Sequence, residues 1–264
     1  MAEIALPPGI DPPDVYVAAI GRSGSTMLCN WLCRPPQQLM FIEPFFLHPA
    51  NPRLLRIQLA DFQMAVSDEE WEQRDESGPE RFRRIMGPRL AGRRWGFKEV
   101  LCEEHGPALQ AFVPRRVIVT VRNLRDVALS FFEKHRLQGN TDRFDAAWVA
   151  DYCRRESTGI LDFLGRLRRE AIPHLVVRYE DFTRSADVRG SIARFVGWEG
   201  GGRIDSHMER FDRQFEIERH GRQVSSRARM PGEREVEVAD HDMAASLAAQ
   251  ATEYQKKFGY AQGS

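Results

Sequence analysis

Seven residues near the N-terminus, Gly21-Arg22-Ser23-Gly24-Ser25-Thr26-Met27, carry the chain's densest set of groups able to hold an anion. They follow an apolar run at residues 15–20 and lead into a helix-like stretch at 25–32. Strand, Gly- and Ser-rich turn, helix is the layout of a phosphate cradle. Backbone N–H groups at the turn and the positive end of the helix dipole converge on one point. Ser23, Ser25 and Thr26 add hydroxyl donors, and Arg22 adds charge. Such a loop is built for a multiply anionic ligand.

A nucleotide-hydrolysing P-loop reads G-x-x-x-x-G-K-[ST], with a Lys that reaches the β- and γ-phosphates. Aligned on Gly24 and Thr26, this chain has Ser25 in place of that Lys and Ala19 in place of the first Gly. Its cation sits at Arg22 instead. The cradle survives, but nucleotide hydrolysis does not follow from it. The pattern resembles the 5′-phosphosulfate loop of sulfotransferases, whose donor is 3′-phosphoadenosine 5′-phosphosulfate (PAPS).

A second signal lies at residues 119–132, VTVRNLRDVALSFF. A buried strand ends at Arg122, and the following helix presents Ser130 two turns later, so the two side chains could grip one phosphate. This is similar to the 3′-phosphate motif of sulfotransferases, R-N-x-x-D-V-x-x-S, with Leu124 where family members often have Pro. The resemblance implies that Arg122 and Ser130 hold the 3′-phosphate. Residues 176–182, VVRYEDF, resemble the family strand that brings a Tyr near the adenine, here Tyr179. Phe258-Gly259-Tyr260 looks like the family's usual close.

Sulfuryl transfer to an alcohol needs a base for the hydroxyl proton and cations for the sulfate and the leaving phosphate. Aryl and steroid sulfotransferases use the His of a K-x-x-H segment; the counterpart here is Lys98-Glu99-Val100-Leu101, so that His is absent. The carbohydrate-type branch places a Glu after the first helix, often as Glu-Pro, and Glu43-Pro44 stands at that point. The resemblance makes Glu43 the general base. The neighbouring Phe41, Phe45 and Phe46 would raise its pKa by desolvation. Phe45 and His48 are expected to shape the acceptor pocket, with His48 and Glu99 as reserve bases. Lys98 matches a Lys that the family places near the sulfate; with Arg22 it would stabilise the departing phosphate. Ser225, Ser226 and Arg227 lie in an Arg- and Ser-dense stretch and are candidates for closing over the 3′-phosphate. A solvated basic loop is the plain alternative there, because the family's Arg-Lys-Gly signature is missing.

These groups must be carried by an alternating frame. Strands are expected at residues 15–20, 94–98, 116–121 and 174–178, with a strand or turn at 39–42. Helices are expected at 25–32, 53–64, 67–86, 124–135, 145–170 (with a break near Thr158-Gly159), 188–196 and 244–258. The alternation predicts an α/β fold with a P-loop-type parallel sheet and helices on both faces. Residues 200–240 read as a long functional loop. The length of 264 residues fits one domain, with residues 1–13 as a Pro-rich tail.

Composition excludes several functions. Thirty-eight basic and 38 acidic residues balance to zero, which argues against non-specific nucleic-acid binding. No run approaches the ~18 apolar residues of a membrane span, and no basic-then-apolar leader opens the chain; the expected location is cytoplasmic. Of the four cysteines, Cys29, Cys33, Cys102 and Cys153, the first two are four apart on an expected helix and have no matching Cys or His pair nearby, so a metal site is not expected and reduced thiols are.

The resemblance spans residues 15–260. It implies a PAPS-dependent sulfotransferase that releases 3′-phosphoadenosine 5′-phosphate (PAP) without a metal. The Glu-Pro segment favours a carbohydrate or glycolipid acceptor. A P-loop kinase acting on a small molecule and a non-catalytic nucleotide-binding protein are the alternatives from other classes. The Ser at position 25 argues against the kinase.

Overall fold

The structure, a computed structural model, describes residues 11–44, 52–72, 74–139, 141–200 and 238–260. Among these residues, five strands pair in parallel in the order β2-β3-β1-β4-β5. They are β1 (Val15–Ala19), β2 (Gln38–Ile42), β3 (Arg94–Glu99), β4 (Val117–Val121) and β5 (His174–Arg178). Between β1 and β2 lies α1 (Ser25–Leu32). Then come α2 (Pro52–Asp61), α3 (Asp68–Trp71) and α4 (Gly78–Leu90) before β3, and α5 (Cys102–Phe112) before β4. After β4 run α6 (Leu124–Gln138) and α7 (Ala146–Arg169). After β5 run α8 (Tyr179–Arg184), α9 (Ala186–Val196), α10 (Val238–Gln250) and α11 (Thr252–Lys257).

Strands β1 and β4 are buried along their whole length, which is why they read as near-continuous apolar runs. Successive side chains still alternate between faces. Tyr16 and Ala18 enter a core with Phe41, Phe97 and Val119, filled by α2, α4, α5, α6, α7 and α10. Val15 and Val17 enter the opposite core with Met40, Ile118 and Val177, filled by α1, α8 and α9. Helices therefore cover both faces, as expected.

This layering creates the ligand crevice. The helix after β1 lies on one face and the helix after its neighbour β4 lies on the other. The chain leaves the carboxyl ends of the two strands in opposite directions, and an open parallel sheet takes its ligands at such a switch point.

Several elements differ from expectation for identifiable reasons. The helix expected at 67–86 is two helices, because Ser77 and Glu80 form a second capping box after that of Ser67 and Glu70. Helix α5 was hidden by Gly106-Pro107, which reads as a breaker; burial of Ala108, Leu109 and Phe112 overrides it. Helix α7 runs unbroken through Gly159, where an added Cβ would lie 2.2 Å from Cys102 Cβ. That glycine serves close packing, not a kink. The last expected helix is two, α10 and α11, parting at Ala251.

No helix among the described residues is long and apolar enough to cross a membrane. The four cysteines are free thiols; Cys29 is fully buried, and burial pushes its thiol up to about 12.

Candidate active site

The loop after β1 is shaped by two left-handed residues, Arg22 at φ 67° and Gly24 at φ 81°. Ser23 N–H donates back to Ile20 C=O at 3.1 Å, and Gly24 is the N-cap of α1. The positive φ at Gly24 favours glycine, and a Cβ there would meet the Tyr179 ring at 2.2 Å. Ser23 turns inward to a 2.9 Å hydrogen bond with Thr120 of β4, tying the loop to the neighbouring strand. Ser25 and Met27 are buried, Thr26 is half-buried and Arg22 is exposed. Met27 packs its side chain into the α1-side core.

Across the crevice, the residues after β4 meet this loop. Arg22 Nε donates to Ser130 Oγ at 2.9 Å, and Arg122 Nη1 donates to Arg22 C=O at 3.1 Å. Arg122 is 3% exposed, and its Nε and Nη2 find no acceptor among the described residues. A buried guanidinium with two unused donors is costly unless an anion takes them. Its position is fixed from two sides. The guanidinium carbon lies 4.1 Å from the centre of the Tyr179 ring. Tyr254 Oη accepts the Arg122 N–H at 3.2 Å and donates to the Arg122 C=O at 3.0 Å. Tyr179 is itself buried, wedged between Gly24 and Arg122.

Lys98 and Glu43 meet at the end of β3. Lys98 is in register with Val17, so it points to the α1 side. Its Nζ lies 2.6 Å from Glu43 Oε1 and 3.3 Å from Ser25 Oγ. Ser25 stands where a nucleotide-hydrolysing loop has its Lys. Here the ammonium at that point comes from β3. Glu43 follows the last residue of β2, donates its N–H to Lys98 C=O at 3.0 Å, and has φ 45°. The lysine side chain is 2% exposed and the glutamate 25%, so the carboxylate faces outward from a buried cation.

The neighbouring Glu99 points to the other face of the sheet, being in register with Ala18. It is 1% exposed, and burial first, then the adjacent Glu104, hold its carboxyl well above the usual carboxylate range. Its carboxyl is therefore buried on the face opposite the Lys98–Glu43 pair. Phe45, His48, Ser225, Ser226 and Arg227 lie outside the described residues.

Three supporting residues were not legible in the sequence. Tyr152 of α7 accepts the Gly21 N–H at 2.8 Å and donates to Val100 C=O at 3.3 Å, riveting the anion loop to the segment after β3. Burial pushes its phenol up and keeps it neutral. Tyr254 clamps Arg122 as described. Thr120 reads as one more β-branched strand residue, yet it anchors Ser23. Each acts across a long chain separation, and no local pattern marks it.

No protein-family model matches the chain, and no curated protein does. Solved structures do resemble it. A sulfotransferase from Alicyclobacillus acidocaldarius superposes with a TM-score of 0.53 at 14% identity, over 94% of this chain and 96% of that one. A sulfotransferase domain from the curacin biosynthetic pathway gives 0.56 at 15% identity, over 96% and 100%. A sulfotransferase from Mycobacterium avium gives 0.51 at 17% identity, over 94% and 77%. The chain has the sulfotransferase fold.

Proposed function

We propose that the protein is a PAPS-dependent sulfotransferase that transfers a sulfuryl group to an acceptor hydroxyl, with a carbohydrate or glycolipid as the preferred acceptor class. The observation that carries this reading is Arg122. Its two unused, buried donors lie beside the anion loop but belong to a different strand end. A single phosphate on the loop does not need them; a ligand with separated 5′ and 3′ anionic groups does. Gly21, Arg22, Ser23, Gly24, Ser25, Thr26 and Met27 would take the 5′ end. Arg122 and Ser130 would take the 3′-phosphate, with Ser225, Ser226 and Arg227 as further contacts, and Tyr179 would border the adenine. The donor set, two arginines and a lysine around backbone and hydroxyl donors, suits such an anion without a metal.

When bound, PAPS supplies an activated sulfuryl group with a phosphate leaving group. Glu43 takes the proton of the acceptor hydroxyl; its partial exposure beside the buried Lys98 supports that role. Lys98 shifts its charge from Glu43 toward the oxygen that becomes negative as the phosphate departs, and Arg22 adds a second cation. By analogy with phosphoryl transfer, the chain contributes positioning and charge and forms no covalent bond. Phe45 and His48 would line the acceptor side.

The test is calorimetric titration with PAP and with Mg-ATP, followed by labelled PAPS offered to mixed glycans, phenols and lipids. PAP binding with transfer to a glycan is the expected result. Tight Mg-ATP binding without PAP binding would favour the kinase instead. PAP binding with no transfer to any acceptor would make it a non-catalytic binder.

A further inference from the structure

We infer that Gln58 is the positioning residue that sets the Glu43 carboxylate on Lys98. Gln58 lies on α2 and is 1% exposed. Its Oε1 accepts the Ile42 N–H at 2.5 Å, and its Nε2 donates to the Ile42 C=O at 2.9 Å. One carboxamide thus satisfies both backbone groups of one residue, as a residue of an antiparallel neighbouring strand would.

The location makes this pairing consequential. Among the described residues, β2 is an edge of the sheet. Along a parallel strand, successive residues turn their backbone groups to alternate sides. Glu43 N–H points inward to Lys98 C=O, so the N–H and C=O of Ile42 point to the open edge. Gln58 closes that edge at its last residue and fixes the peptide plane from which Glu43 departs. Glu43 then adopts φ 45°, a conformation that bulky L-residues avoid. Such a backbone persists only where its surroundings over-determine it. Lys98 C=O holds one side, and Gln58 holds the residue before it from the other. Without Gln58, Ile42 keeps two unpaired groups at a sheet edge, the turn relaxes, and the carboxylate drifts from Lys98.

This rests on the reading of Glu43 as base, and the experiment separates the two. The chain has four lysines, Lys98, Lys134, Lys256 and Lys257, and the last two are exposed. Acylation with acetic anhydride, followed residue by residue by mass spectrometry, reads how tightly Lys98 is held relative to Lys256 and Lys257. In Gln58→Leu, Lys98 should acylate about tenfold faster than in the wild type, with Lys256 and Lys257 unchanged and PAP affinity within twofold. Sulfate release from labelled PAPS should fall ~10- to 100-fold, the scale of a 1 Å misplacement, and Gln58→Leu should add no further loss on top of Glu43→Gln. A general packing defect would instead raise labelling at all sites and add to the Glu43→Gln loss. Lys98 acylating in Gln58→Leu as slowly as in the wild type overturns the inference. If leucine prevents folding, Gln58→Glu, which keeps the acceptor for Ile42 N–H and sets an anion against its carbonyl, should raise Lys98 labelling at least threefold and is judged by the same criterion. Failure of the base reading shows elsewhere, as wild-type turnover in Glu43→Gln, and leaves the labelling result standing.

Discussion

The ammonium of Lys98 stands 2.6 Å from a carboxylate oxygen of Glu43, and the two side chains reach each other from the ends of adjacent parallel strands. One is buried and the other half-open, so the pair presents a base to the outside with its countercharge behind it. Glu43→Gln keeps the size and a hydrogen-bond acceptor for Lys98 but cannot take a proton. Turnover should fall ~10²-fold or more, the usual size of a general-base contribution, with PAP affinity within twofold. Lys98→Ala should depress turnover more than PAP affinity. Steady-state rates beside calorimetry decide both; a variant that loses affinity and keeps turnover would make Lys98 a binding residue only.

Arg122 offers two buried donors with no acceptor among the described residues. Charge-assisted hydrogen bonds contribute about 1.5–3 kcal/mol each, so losing both should make Arg122→Ala weaken PAP binding by ~10²- to 10⁴-fold. Adenosine 5′-phosphosulfate, which lacks the 3′-phosphate, should lose far less. Arg122→Lys should not restore the affinity, because an ammonium lacks the planar fork and stacks poorly on Tyr179. Equal losses for the two ligands would contradict the 3′-phosphate assignment.

The parts of the fold and site that were readable share a physical basis. The strand at β1, the loop from Gly21 and the strand and helix around Arg122 are local patterns, in which apolar runs, glycines and caps lie next to what they control. Arg22 meeting Ser130, and Lys98 meeting Glu43 and Ser25, depend on strand order instead. The sequence pattern proposed those residues as one site; only β1 lying between β3 and β4 explains why they touch. Tyr152, Tyr254 and Gln58 were not readable, since a buried Tyr or Gln on an amphipathic helix looks like any packed residue until its distant partner is known.

Gly24 has to serve two constraints together. Its φ of 81° disfavours any side chain, and the space a Cβ would fill is held by Tyr179. Gly24→Ala should lower stability by at least ~1 kcal/mol from the backbone alone. It should also abolish PAP binding, because displacing Tyr179 removes the support under Arg122. Gly24→Ala combined with Tyr179→Ala relieves the clash but not the φ penalty, so it should recover part of the stability and none of the affinity. Denaturant melts with PAP titrations read the two effects separately. A Gly24→Ala protein that binds PAP normally would show that Tyr179 does not couple the loop to Arg122.

His105 gives the fold a pH dependence of predictable sign. It is fully buried, its Nδ1 lies 2.7 Å from Tyr16 Oη, and burial lowers it from 6.5 to about 3. The unfolded chain therefore binds a proton on this ring that the folded chain refuses. The stability that follows is fully present above pH 6.5 and is lost as pH falls toward about 3. Nearby Glu99, held well above its ordinary value, acts in the opposite sense: its share is lost as pH rises. Comparing wild type with His105→Gln isolates the histidine. The wild type should lose up to about 1.4 kcal/mol per pH unit below 6.5 relative to the variant, or ~2 kcal/mol by pH 5, in urea titrations across that range. Parallel pH profiles for the two proteins would show that His105 is not held neutral in the folded state.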